Sequence, residues 1–259
     1  MLPLRTSERY YRFSERLSER ASRRVLRQVT LAGAATVIIA SQATQANEAQ
    51  AATSAMLAEQ GLSAPPEAAL VPLAFTTQQS AVEAMLDSIV RQELPQSVVD
   101  ERFARLAASL VQDAGRAAQG VDVATRPRVR FVRHLNLPSC SRCAVLAGRV
   151  YRYSEGFQRH PNCDCVMIPT TVAAPDLTYD PEQLARDGLV RGLSKADFQA
   201  LEDGADFNQV VNVRLKKAGL RDAGEVLDRA GRPTPAGIYR TAESREHAVD
   251  LLRRHGYIR

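Results

Sequence analysis

At 259 residues the chain is long enough for one large or two smaller domains. Its 45% hydrophobic share is that of a folded protein, but it has no Trp and only 5% aromatic residues, so small Ala and Val must fill much of the interior, as in closely packed helices. No apolar run reaches the ~18 residues that would cross a membrane, and the net charge of +5 is laid out unevenly.

Residues 1–30 carry eight Arg against three Glu, and residues 126–160 carry eight Arg against Glu155 alone. Two basic blocks on a neutral-to-acidic body point to a polyanion or an acidic protein surface as partner. In the first block Arg9, Arg12, Arg16, Arg20, Arg23 and Arg27 recur at three- and four-residue steps. Side chains at those steps share one helix face, so they form a stripe. Tyr10, Phe13, Leu17, Ala21 and Val25 form the apolar stripe beside it, and Glu8–Arg12 and Glu19–Arg23 are helix-stabilising pairs. The arginine stripe is either a solvated face or a docking arm for nucleic acid or an acidic partner.

The helix is expected to run on through the Ala-rich stretch to about Gln60. Leu31 to Ala40 follows basic residues and superficially looks like a leader peptide, but the basic lead is too long and too charged. It reads as a buried helix segment of a cytosolic protein. Pro65 and Pro66 break the helix. Thr76 with Gln79 resembles a capping box for a second helix, with Ala81, Met85, Ile89 and Val90 on its apolar face and Pro95 at its end. Ser97 opens a third, with Phe103, Leu106, Leu110 and Val111 inward and Gly120 as its stop.

The texture then changes to period two. Val129 and Phe131 alternate with Arg128 and Arg130, residues 149–153 repeat that pattern, and Val166 to Ile168 follows Cys165. Three short strands in one small sheet are expected. Short helices follow, opened by Asp180-Pro181, by Ser194 with Asp197, by Asp206, by Thr234-Pro235 and by Ser244, and Gly256 stops the last. The expected fold class is mainly α (α+β). Its parts are a helical N-terminal region with a basic arm (1–125), a small Cys/His-stapled β unit (126–172) and a short-helix C-terminal region (173–259).

All four cysteines fall in that middle region, as Cys140-x2-Cys143 and His160-x2-Cys163-x-Cys165. A C-x2-C knuckle aims two sulfurs at one point, and Zn2+ takes four thiolate or imidazole ligands in a tetrahedron. The spacing favours zinc on the four cysteines, with His160 as a substitute ligand or a hydrogen-bond donor to one of the sulfurs. A metal staple suits a small unit with little core of its own. Two disulfides, a redox C-x2-C and free core thiols are the rival readings. His134, His247 and His255 read as structural.

Cys140-x2-Cys143, Leu146-x-Gly148 and His160-Pro-Asn-Cys163-x-Cys165 together resemble the signature of phage Mu protein F-like minor head proteins of tailed bacteriophages, most firmly over residues 125–170. The run from Arg159 to Cys165, the helical lead and the ending Leu251 to Ile258 look like the form in phages of actinobacteria. Asp164 departs from the basic residue common at that position, which puts an anion contact there in doubt. The resemblance implies a minor capsid protein acting in head morphogenesis. Such a protein associates with portal, capsid and scaffold proteins and in some phages with DNA, its packaging and its ejection. It would sit in the virion at the capsid interior or portal vertex, and in the host cytoplasm during assembly. No catalytic set comes with the resemblance, no Gly-rich phosphate loop or nucleophile elbow is present, and the chain is expected not to be an enzyme. Arg128 and Arg130 join the N-terminal stripe as candidate partner- or nucleic-acid-binding residues. The alternative is a zinc-containing nucleic-acid-binding module. A nuclease ranks below it, because no suitably placed His follows His160 and Asn162. A Cys–His hydrolase is weaker still.

Overall fold

A computed structural model describes residues 4–157, 165–171, 177–213, 215–216, 219–220 and 232–259. It is mainly helical with a few short strands, as the patterning requires. The chain divides into two compact units, Met1–His134 with Val150–Thr178, and Leu135–Arg149 with Tyr179–Arg259.

Four helices frame the first unit: α1 (Arg5–Val25), α2 (Leu31–Glu59), α3 (Gln79–Val90) and α4 (Gln96–Ala124). The single long helix expected up to Gln60 is two. The chain turns over residues 26–30, and the Thr30 hydroxyl accepts the Gly33 N–H at 3.0 Å as a new N-cap. α2 then runs back along α1. At the far end the Glu59 carboxylate accepts the Arg5 and Thr6 N–H groups at 2.7 and 2.9 Å, satisfying donors that a helix start leaves orphaned. Burial alone would raise the Glu59 pKa, but donors from Thr6 and Arg5 outweigh it and hold the carboxyl below its ordinary value.

Small residues bring the helices together. The face of α1 that packs inward is Ser7, Tyr10, Ser14, Ser18, Ala21 and Val25, while Phe13 and Leu17, expected on that face, are half-buried at its edge. The leader-like stretch is helix and buried on one face: Ala34, Ala35 and Ile38 lie in a core with Val25, Val82, Leu86 and Ala107, while Ala32, Thr36 and Ala40 are exposed. α3 buries Val82 and Leu86 rather than the Met85 and Val90 face. It starts at Gln79 with no side-chain cap, because the Thr76 hydroxyl bonds to the Leu73 carbonyl instead. α4 runs through Gly120, the expected stop, to Ala124. A Cβ at Gly120 would meet Met167 Cε at 3.7 Å, so this glycine marks where the sheet passes rather than where the helix ends.

Of the three strands expected from the period-two stretches, two pair as a sheet and the third makes a single bridge. β1 (Arg130–His134) pairs antiparallel with Val166–Thr170 in the register Val132↔Ile168, and Phe131 exchanges both backbone bonds with Tyr151 on its other edge at 3.0 and 2.8 Å. Arg128 lies outside the strand, with φ +64° in the turn before it. Val132, Val166 and Ile168 pack against Tyr10, Ala46, Ala49, Ala52, Met56 and Ala118 of the helices. The sheet therefore draws its core from the bundle, where a small stapled unit without much core of its own was expected.

In the second unit, β2 (Ser139–Cys140) leads into α5 (Ser141–Ala147). The first-unit strand Val166–Thr170 is β3. Then come α6 (Pro181–Arg186), β4 (Val190–Arg191), α7 (Lys195–Glu202), α8 (Phe207–Asn212), β5 (Leu215–Lys216), β6 (Gly219–Leu220), α9 (Pro235–Thr241) and α10 (Arg245–Arg254). β2 pairs in parallel with β4. The expected caps are in place at Asp180, Ser194, Asp206, Thr234 and Ser244, and the chain reverses at Gly256 with φ +72°. The tail docks: Tyr257 is fully buried with Val210, Ile238, Ala248 and Leu252, and its hydroxyl donates to the Pro233 carbonyl at 2.9 Å. Asp203, almost wholly buried, accepts from the Tyr239 hydroxyl at 2.6 Å and from Arg245 at 2.6 and 2.8 Å. Burial and the Asp203 carboxylate push the Tyr239 phenol far above its usual range.

The tightest point in the bundle is Gly115 on α4. A Cβ there would stand 2.7 Å from Gln45 Cγ and 2.8 Å from both Gln45 Nε2 and Tyr10 Oη. Gly115→Ala gains about 1 kcal/mol of helix propensity and loses about 1–3 kcal/mol to overpacking. The expected net result is destabilisation, read as a lower urea midpoint with unchanged slope; a midpoint at or above the parent's would show that the side chains yield.

Candidate functional site

The six arginines of the N-terminal stripe, Arg9, Arg12, Arg16, Arg20, Arg23 and Arg27, are all exposed. Arg27 sits in the turn after α1, and Arg5 joins the stripe at the helix start. Of the two expected ion pairs, Glu19–Arg23 is present at 3.8 Å between exposed side chains.

The second basic block behaves differently. Arg128 is exposed and Arg130 half-buried. Arg126 and Arg133 are buried. Arg126 donates Nε and Nη2 to the two Asp122 oxygens at 3.0 and 3.2 Å, and also reaches Ser54 Oγ and the Ala64 carbonyl. Burial pushes the Asp122 carboxyl up, and Arg126 pulls it back. Arg133 lies over the Phe157 ring, 4.0 Å from its centroid. Arg116 of α4, not singled out by the sequence, is buried too. It donates Nε to the Cys165 carbonyl at 3.1 Å and pairs with Asp113 at 3.1 Å. The period of two that turns Phe131 inward also turns Arg133 inward, so that burial was readable; nothing in the sequence marks Arg116.

The cysteines divide between the units. Cys140 and Cys143 belong to the second and Cys165 to the first; His160 and Cys163 lie outside the described residues. Cys140 ends β2 and is the N-cap of α5, and its Sγ accepts the Cys143 N–H at 3.4 Å. This strand–knuckle–helix order, with β4 parallel to β2, is a setting that the residue pattern does not announce. An N–H donated to sulfur suits an anionic sulfur, so the knuckle's chemistry fits a zinc-bound thiolate. Among the described residues no group of three or more His, Cys, Asp or Glu side chains is gathered for a metal. His134 is buried 6.3 Å from the Tyr11 ring, His247 accepts the Glu243 N–H at 3.4 Å within the first turn of α10, and His255 caps the end of that helix.

A cavity of about 540 Å³ opens on the first unit, lined by Asp113, Arg116, Phe131, Tyr153, Phe157 and Met167 among others. Phe131 stacks on Tyr151 at 5.3 Å and Tyr153 is 59% exposed. Its walls are mainly apolar, with the Arg116–Asp113 pair as the charged element.

Compared with known proteins, residues 5–187 match a family model described as VG15 protein. No curated protein matches the chain, and no solved structure does. No helix among the described residues is long and apolar enough to cross a membrane.

The two arginine environments give opposite expectations. Arg126→Ala strips the partner from a buried Asp122 and should cost about 3–5 kcal/mol. Replacing Arg12, Arg16, Arg20 and Arg23 together with Gln should stay within about 0.5 kcal/mol per site, because the side chains are exposed. Denaturant unfolding of both variants checks this, and a large loss in the quadruple variant would mean that the stripe holds the fold.

Proposed function

Because the chain belongs to the VG15 protein family, a membership that points to a phage-encoded protein, we propose that it is a minor capsid protein of a tailed bacteriophage acting in head morphogenesis. The carrying observation is a bundle of long helices whose connecting segments leave large apolar side chains on the surface. Val29 is 99% exposed, and Val71 and Leu73, two residues apart, are 63% and 66% exposed. Large apolar groups left in water are surface that a neighbouring subunit can cover. The signature-like residues at 140–165 support the same reading. The protein packs on the portal and inner shell, with capsid and scaffold proteins as neighbours. It resides at the capsid interior or portal vertex of the virion and in the host cytoplasm during assembly. Its role is structural, not enzymatic.

Zinc belongs to this proposal, held mainly by Cys140, Cys143, Cys163 and Cys165 with His160 as a substitute ligand or a hydrogen-bond donor to one of the sulfurs. When bound it would contribute folding energy rather than chemistry. What supports it is the ligand spacing and the Cys143 N–H donated to Cys140 Sγ.

Mass spectrometry of purified procapsids and virions, with pull-down on the portal protein, tests the role. The protein should be found in particles, and Val71→Ser with Leu73→Ser should lower its incorporation without lowering its thermal midpoint. A chain absent from procapsids and virions that turns over a substrate would overturn the reading.

Metal analysis of protein purified without chelator should find about one Zn2+ per chain, less in Cys140→Ser. No stoichiometric zinc, with a normally folded Cys140→Ser variant, would remove the metal from the proposal.

A further inference from the structure

Several exposed arginines elsewhere in the chain have local carboxylates, while others, such as Arg128, Arg191 and Arg254, stand singly without one among the described residues. Arg91 pairs with Asp87 at 2.6 Å, Arg105 with Glu101, Arg186 with Glu182 at 3.9 Å, Arg253 with Asp250 at 3.4 Å and Arg245 with Asp203 at 2.6 Å. α1 differs in gathering such arginines in one row. Of Arg5, Arg9, Arg12, Arg16, Arg20 and Arg23, all exposed, Arg23 alone has an ion pair among the described residues, and that one is 3.8 Å long.

Their placement is regular. At 3.6 residues per turn the six fall within about 80° of arc, and every α1 position on that arc is Arg. At 1.5 Å per residue they extend over about 27 Å. The buried positions Ser7, Tyr10, Ser14, Ser18, Ala21 and Val25 centre on the opposite side, so packing holds the arginine row outward. Glu8, Glu15 and Glu19 run along one edge of the row, and half-buried Phe13 and Leu17 along the other.

What such a row can bind follows from what it lacks. Arginines at protein–protein interface cores work among apolar and aromatic side chains that exclude water, and this arc contains no apolar residue. Single-stranded nucleic acid is held by aromatic stacking as well as charge, and the arc carries no ring. A duplex presents one negative charge per ~1.7 Å of axis and needs only positive charge in a line. From this we infer that the outer face of α1 binds the phosphate backbone of double-stranded nucleic acid, without sequence preference. The inference goes beyond the head role and does not depend on it.

The test is fluorescence anisotropy of the full chain with a 30-base-pair DNA duplex (roughly the site size of a 27 Å row plus flanks) over a range of salt. The parent should bind in the roughly 1–100 µM range of non-specific complexes, equally to a duplex of scrambled sequence, and binding should fall steeply with salt. Arg9→Gln, Arg12→Gln, Arg16→Gln and Arg20→Gln together should weaken binding at least about tenfold at low salt and make the slope of log K against log salt shallower by about 2–4. A charge-matched control, Arg91→Gln, Arg105→Gln, Arg186→Gln and Arg253→Gln, should bind within about twofold of the parent, since each of those charges already has a carboxylate. Circular dichroism establishes that both variants fold. Equal losses in the two variants, no loss in the first, or tighter binding of the parent to an acidic polypeptide than to duplex would each overturn the inference.

Discussion

Everything in the first unit depends on how closely α1, α2 and α4 approach one another. Gly115 has no side chain because Gln45 and Tyr10 stand where one would be, with Gln45 Nε2 donating to the Tyr10 hydroxyl at 3.0 Å. Burial pushes the Tyr10 phenol far above its usual range, against the pull of the Gln45 bond, so it stays neutral in the core. The Ala46, Ala49 and Ala52 row beside this contact is shallow enough for β1 and β3 to lie on it. Interiors pack at near-crystalline density, so side chains this small set the spacing of the elements around them. With no Trp and few aromatics, the chain reaches that density by bringing backbones together.

Arginine serves two opposed purposes in the same unit. On α1 it is kept in water by a buried opposite face. In Arg116, Arg126 and Arg133 it is taken out of water and given carbonyls, carboxylates or a ring. A guanidinium tolerates burial better than an ammonium, because its planar fork meets several acceptors at once. Counting charge along the second basic block therefore overstates its surface charge, and the difference lies in neighbours distant in sequence. Asp122 is four residues from Arg126, but Ser54 and Ala64 are 72 and 62 away.

The helices were legible where their ends carry chemistry. Asp180-Pro181, Ser194 with Asp197, Thr234-Pro235 and Ser244 satisfy backbone donors locally, so the sequence states them outright. The α1–α2 break was missed because Val29 and Thr30 carry no breaker; Thr30 caps only once the chain has already turned. The inward faces of α1 and α3 were displaced from the expected ones because serine and alanine, weak signals of burial, occupy the closest contacts. The β1–β3 pairing was readable from period two, though the expected third strand is reduced to the Phe131–Tyr151 bridge; the seat of the sheet on the helices was not, since it depends on partners distant in sequence. For the candidate site, exposure of the α1 row followed from periodicity. The strand–knuckle–helix setting of Cys140 did not, because β2 is two residues long and its partner β4 lies fifty residues on.

That pairing has a consequence for how the protein is made. The chain leaves the first unit after His134, builds β2 and α5, returns at Val150 for β3, and enters the second unit again at Tyr179. Neither unit is a contiguous piece of chain, so no single cut would release one whole. On a ribosome adding about 5–20 residues per second, β2 and α5 emerge roughly 3–10 seconds before β4 can pair with them. Through that interval the knuckle's two thiols wait without the strand that will hold them. Synthesis order, and not only the final structure, then governs when this part of the molecule first becomes available to a metal or an oxidant.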